Sequence, residues 1–117
     1  MKLSDLAPTV TPFHQGKTLK ASTWTAIDDC IGFGMRRRVI MHHDTVMAEF
    51  HSAYDKDFHE FDDWTTKVVS VGWGSKSDAD GMNQLLLEVG SAMRMARKNG
   101  TANYVAPNGN IIELPRY

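Results

Sequence analysis

The stretch from Val68 to Lys98 constrains this chain more than any other. It reads V-V-S-V-G-W-G-S-K-S-D-A-D-G-M-N-Q-L-L-L-E-V-G-S-A-M-R-M-A-R-K. A β-branched run, Thr65 to Val71, enters a Gly/Ser/Lys turn, and a patterned segment leaves it. Met82, Leu85, Leu86, Val89, Met93 and Ala96 recur at three- and four-residue steps, which places them on one stripe of a helix over about 78–99. Ser77 with Asp80 three positions on is a variant capping box. Arg94, Arg97 and Lys98 fall in the last turn, where they complement the helix dipole, and Asn99-Gly100 supplies a stop. Gly90 inside such a helix costs about 1 kcal/mol relative to Ala, so it implies close packing against another element.

The remaining segments read as β-structure. Leu19 to Ile27 suits a strand rich in Thr and Trp; a helix capped by Ser22 and ended by Gly32 and Gly34 is the competing reading. Met35–His42 and Thr45–His51 are strands on either side of His43-Asp44, as one bent strand or a tight hairpin. The two-residue period puts Val46, Ala48 and Phe50 on one face of the second, and Thr45, Met47, Glu49 and His51 on the other. Ser52 to Trp64 is polar, acidic and aromatic, and reads as a loop. In the tail, Tyr104–Ala106 and Ile111–Leu114 flank Pro107-Asn108-Gly109-Asn110, a hairpin signal. The first 17 residues, with Pro8, Pro12 and Gly16, form an irregular arm with a short helical turn at Ser4–Leu6. Residues 1–117 therefore make a single α+β domain, an antiparallel sheet of about four to six strands with one long amphipathic helix packed across it.

A formal charge of −1 argues against a protein whose task is to neutralise many phosphates. Specific nucleic-acid binding is not expected, since no helix-turn-helix or ribonucleoprotein motif is present. Cys30 stands alone, which excludes a disulfide framework and a cysteine-based zinc site and suggests a buried small hydrophobe in a reducing compartment. The N-terminal residues lack a signal-peptide pattern, and no apolar stretch approaches the roughly 20 residues that span a bilayer. A cytoplasmic chain with no membrane partner is the expectation.

Several chemistries can be weighed. His43, Glu49 and His51 alternate toward one strand face, but neither H-E-x-x-H nor any zinc spacing is present, and no metal is expected. The segments starting at Asp55 and Lys76 fall short of a calcium loop for want of acidic ligands at both ends. Gly72-Trp73-Gly74-Ser75-Lys76-Ser77 approaches a phosphate loop, yet Ser75 stands where the pattern needs Gly. What survives is a cluster of amides, hydroxyls and Lys76 at a helix start, which favours anions, with Trp73 available to stack on a planar base. Arg36, Arg37 and Arg38 point alternately on a strand and read as a charged edge protected from aggregation. No nucleophile elbow or triad spacing is visible, so no catalytic residue and no cofactor is assigned. Seven methionines and three tryptophans suit an adaptable contact surface.

His43-Asp44-Thr45-Val46-Met47-Ala48-Glu49, then Gly72-Trp73-Gly74-Ser75-Lys76-Ser77, then Met82-Asn83 in a helix, resemble a pattern in small phage-encoded proteins of unassigned role. Those show an aromatic-x-Thr-x-Ile-Ala strand, a Gly/Trp-Ser turn, a Thr-Thr pair and a His-x-Asn helix start. Here His43 replaces the aromatic, Met47 the Ile and Ser77-Asp78 the Thr pair, and the helix-start His is absent. The resemblance implies a small non-enzymatic phage protein that acts by binding and inhibits a host or anti-phage defence protein, with a homo-oligomer as one arrangement. An alternative follows from phage proteins similar in size and layout that sequester cyclic ADP-ribose-type immune signals: a nucleotide-binding sponge, with Trp73 and Asn83 at the matching positions. The candidate ligand or interface residues are Trp73, Ser75, Lys76, Ser77, Asn83, Arg94 and Arg97.

Overall fold

A computed structural model of the protein describes residues 1–32, 34–53 and 64–114. After a 3-10 turn at Leu3–Leu6 come β1 (Thr18–Ala21), β2 (Trp24–Cys30), β3 (Met35–His42), β4 (Thr45–Ala53) and β5 (Thr65–Val68). The helix α1 (Lys76–Glu88) follows, then β6 (Arg94–Lys98), β7 (Thr101–Val105) and β8 (Ile111–Ile112). The first five strands form one antiparallel meander and the last three another, each strand beside its neighbour in the chain. The protein is α+β, with a single helix among the described residues packed across the sheet. No helix among them is long and apolar enough to cross a membrane. Of the segment Ser52 to Trp64, read above as loop, Ser52 and Ala53 instead continue β4, and residues 54–63 lie outside the described residues.

The strand reading of Leu19–Ile27 holds, with a two-residue turn, Ser22-Thr23, dividing it into β1 and β2. His43-Asp44 is the tight hairpin, closed by His42 opposite Thr45. The predicted faces of β4 hold at Ala48 and Phe50, which are buried, but not at Met47. Register shifts between Ile40 and Met41, so that Ile40 faces Ala48 while Met41 faces Val46. The extra residue is Met47, and the bulge lets it join Ala48 in the core.

The helix ends far short of residue 99. Gly90 adopts φ 72°; its N–H donates to the Leu87 carbonyl and that of Ser91 to the Leu86 carbonyl, the paired bonds of a Schellman stop. Gly90 is therefore a terminator, and a Cβ there would meet open space. Arg94, Met95, Ala96, Arg97 and Lys98 are β6, and Asn99-Gly100 is a hairpin turn rather than a helix stop. Both of its residues have positive φ, 56° and 78°, the requirement of a type I′ turn. Close approach occurs instead at Gly81, where a Cβ would overlap the indole of buried Trp24. The N-cap is Ser75, with Asp78 completing the capping box, two residues before the predicted Ser77–Asp80 pair.

Two further expectations are corrected. Cys30 is exposed, at the last position of β2. The arginine strand is no edge: β3 lies at the centre of its sheet, and Arg38 is wholly buried against Asp28, its register partner on β2. Arg38 Nε and Nη2 bind the two Asp28 oxygens at 2.6 and 2.8 Å. Its remaining donors reach the carbonyls of Leu6, Thr11 and Pro12 at 3.0, 2.8 and 3.2 Å. The N-terminal arm is thereby tied down, and Leu6 and Ala7 belong to the core along with Ile40, Phe50, Met82, Leu85 and Leu86. Arg37, pointing to the opposite face, pairs with Asp29.

Candidate functional site

Three turns meet at one end of the inner face of the larger sheet, and Asp78 joins them. The hairpin turn Ser22-Thr23 touches the hairpin turn His43-Asp44 through a hydrogen bond from His43 N–H to the Thr23 carbonyl, 2.8 Å. Even-numbered residues of β3 face inward, so His42 follows Arg38 and Ile40 into the interior. There its Nδ1 lies 2.6 Å from Asp78 Oδ1, with both side chains 4% exposed. The other Asp78 oxygen accepts from the amides of Trp73 and Ser75 and from the Ser75 hydroxyl, at 3.1, 3.2 and 2.8 Å. Gly72, at φ 61°, lets the third turn pass; a Cβ there would fall 2.8 Å from Met47 Sδ and 3.0 Å from Asp78 Oδ1.

These partners decide the state of the carboxyl. Burial opposes ionisation of Asp78, but the hydrogen bonds from His42 and Ser75 together outweigh it and hold its pKa below the ordinary carboxylate value. An ionised Asp78 is an acceptor only, so His42 Nδ1 carries the hydrogen of that bond. In the neutral imidazole, Nε2 then accepts, and Thr23 Oγ1 lies 2.9 Å away. Trp24 stacks on one side of the His42 ring, centroids 4.2 Å apart and 9° from parallel. His43 stacks at 4.5 Å. The imidazole is thus fixed in position, plane and tautomer.

Thr23 is exposed, while His42 behind it is not. An open cleft of about 460 Å³ lies over them, lined by Ser22, Thr23, Trp24, His42, His43 and Ser77, among others. Of the three non-glycine residues at positive φ among those described, Ser22 (58°) and His43 (55°) both border it. Each opens a two-residue hairpin turn, the setting that calls for positive φ, as at Asn99.

The residues singled out from the sequence divide into two groups. Trp73, Ser75, Lys76 and Ser77 sit together at the helix start. Trp73 is 74% exposed; Ser75 caps the helix; Lys76 pairs with Asp80 on the surface; Ser77 reaches the cleft. The Trp73 and Ser75 amides that an anion would use already serve Asp78. Asn83, Arg94 and Arg97 lie toward the smaller sheet. Asn83 clamps the backbone of Met95 through two hydrogen bonds, 2.7 and 2.9 Å. Arg94 is exposed on β6, and Arg97 donates to the Gly100 carbonyl at 3.1 Å. Among the described residues no three His, Cys, Asp or Glu side chains group as a metal site.

Thr23, His42 and Asp78 do not form a group in the sequence reading, where His42 and Asp78 enter only among weighed metal and calcium ligands. They are 19 and 36 positions apart along the chain, and no local spacing announces them. The one signal was parity: His42 shares the face of Ile40 on a central strand, where a histidine needs partners. Compared with protein-family models, with curated proteins and with solved structures, the chain matches none.

Proposed function

We propose that this protein acts by binding, as a phage-encoded inhibitor of a host or anti-phage defence protein, with Trp73 at the centre of its contact surface. The observation that carries this reading is the manner in which Trp73 is presented. It is 74% exposed, yet its amide is bonded to Asp78 and the turn around it is anchored to the smaller sheet by the bond from Ala102 N–H to the Gly74 carbonyl, 3.1 Å. A large amphipathic ring held in the open on fixed backbone loses little freedom on binding, and Trp is enriched at the energetic centres of interfaces. Ser77 and Lys76 supply a polar rim beside it. The phage origin and the inhibitor role rest on the resemblance of residues 43–49 and 72–83.

The test is capture of a saturable partner from host lysate by the purified protein, beside Trp73→Ala. A central tryptophan is worth at least about 2 kcal/mol, roughly a thirtyfold loss of affinity. No saturable partner, or equal binding by the variant, would sink the reading.

A second reading has its own observation. The cleft ends a stack of three rings, Trp24, His42 and His43, and brings the hydroxyl-bearing residues Ser22, Thr23 and Ser77 around it. A planar base fits the stack and a ribose the hydroxyls, so a nucleotide-type signal is the ligand class, with the cleft taking the place first given to Trp73 and Asn83. Thermal shift against nucleotides and cyclic nucleotides tests it. A ligand at 100 times its dissociation constant adds about 2.7 kcal/mol, and a flat panel counts against it.

A further inference from the structure

We infer that Thr23 is an activated nucleophile that accepts acyl groups from small esters seated in the cleft, with His42 as its general base and Asp78 as the group that positions the base. The inference goes beyond the binding readings and does not depend on either. It rests on the order of the hydrogen bonds. The hydroxyl of Thr23, a residue exposed on its turn, lies 2.9 Å from His42 Nε2, and the opposite ring nitrogen lies 2.6 Å from a buried carboxylate. Nucleophile, base and orienting acid are recognised by this mutual geometry and not by position in the chain.

The surroundings favour the same chemistry. Asp78 is kept ionised by its own bonds, so it holds His42 in the tautomer whose Nε2 can take a proton. Trp24, stacked parallel on the imidazole, also holds the ring in the plane in which Nε2 faces Thr23 Oγ1. The hairpin turn that carries Thr23 is bent at Ser22 into backbone that L-residues seldom adopt. It is held there by His43 N–H on the Thr23 carbonyl. The hydroxyl therefore stands at the lip of the cleft with its base behind it, and a substrate carbonyl reaches it from solvent.

The step balances with water as the only other reactant. Thr23 Oγ1 attacks the ester carbonyl carbon and its proton passes to His42 Nε2. The tetrahedral adduct collapses, the carbon–oxygen bond to the alcohol breaks, and the leaving oxygen takes that proton from His42, leaving acyl-Thr23. Water then attacks the acyl carbon while His42 Nε2 takes its proton. The adduct collapses again, the bond between the acyl carbon and Thr23 Oγ1 breaks, Thr23 Oγ1 recovers the proton from His42, and a carboxylic acid is released.

The experiment treats the purified protein with p-nitrophenyl acetate and, separately, with a fluorophosphonate probe, and locates adducts by intact mass and peptide mapping. One adduct at Thr23 is expected. Thr23→Val, on an exposed turn, should abolish it with the fold retained by circular dichroism, and Thr23→Ser should restore it. His42→Gln should slow it on the order of 100-fold or more, the contribution of a positioned base. His42 is buried, so that variant is read only where its circular dichroism matches the wild type. No adduct at Thr23, labelling spread evenly over surface hydroxyls and lysines, or an unchanged mass shift in Thr23→Val would overturn the inference.

Discussion

Arg38 and Asp28 stand opposite one another on β3 and β2, both wholly buried, with Arg38 Nε 2.6 Å from Asp28 Oδ1. A charge pair in such a place survives because every donor is used. The five N–H groups of the guanidinium reach two carboxylate oxygens and three carbonyls of the arm, and Asp28 also accepts the His14 amide at 3.0 Å. The pair is a rivet between the sheet and the first 14 residues.

Removing one half of the rivet leaves the other charged and dry. Arg38→Met is expected to destabilise the protein by about 3–5 kcal/mol, the usual consequence of stranding a buried charge. Adding Asp28→Leu should recover only part of this, because the Leu6, Thr11 and Pro12 carbonyls still lack donors. Urea unfolding gives the energies, and limited proteolysis should show cleavage of the arm in both variants. Full recovery in the double variant would refute the role given to the three carbonyls.

Gly81 exists for Trp24. Gly81→Ala should lower stability by about 1–3 kcal/mol through overpacking, although Ala is the better helix former by about 1 kcal/mol. The indole would have to leave its place beneath the His42 ring, so a change in near-ultraviolet circular dichroism should accompany the loss. A neutral or stabilising result would contradict the close contact.

The acid side of the stability curve should report on Asp78. Its folded pKa lies below the ordinary value of 3.8. The stabilisation is therefore fully present above that value and is lost as pH falls through the folded pKa. Asp29 is lowered too, first by its hydrogen bond from Arg37, but its side chain is 40% exposed and solvent screens most of the effect. Urea midpoints measured from about pH 6 down to about pH 2 should fall steeply for the wild type. The slope should be much reduced in Asp78→Asn and little altered in Asp29→Asn.

Asn83 joins helix to smaller sheet through the backbone of Met95. Asn83→Ala leaves both the N–H and the carbonyl of that half-buried edge without partners, at about 1–3 kcal/mol. Hydrogen exchange should rise at the Met95 amide and along β6 while amides of β2 and β3 stay protected. Uniform loss of protection would mean that the two sheets do not open separately.

How much was legible follows from where each signal lies. The hairpin at Asn108-Gly109 was local and formed; at His43-Asp44 the sequence left a bent strand or a hairpin open, and the pairing of β3 with β4 decides for the hairpin. The helix was visible from Met82, Leu85 and Leu86, but Met93 and Ala96 continue the same step by coincidence, and that masked Gly90 as a terminator. Asn99-Gly100 is among the strongest hairpin signals, yet it also suits a helix end, and the choice needed the partner strand Thr101–Val105. The helix cap fell to Ser75 and Asp78, two residues before the pair read from the sequence; Asp78 also serves His42 and the Trp73 amide, partners that no local spacing shows. A charged triplet reads as surface until its partners are known; Asp28 and three arm carbonyls made Arg38 interior. The Thr23–His42–Asp78 relay is wholly tertiary. Each link joins residues from different elements, and only the fold brings them together.

Both sheets are meanders, and that order has a temporal side. In the larger sheet β1 to β4 follow one another across connections of a few residues, so these four strands can assemble by successive local steps as the chain emerges from its N-terminus. Two closures cannot be local: the arm must wait for Arg38, and Trp24 and His42 must wait for the helix that brings Gly81 and Asp78. Until the helix docks, the hydroxyl of Thr23 has no oriented base, so the reactivity inferred at that turn begins only when folding is complete.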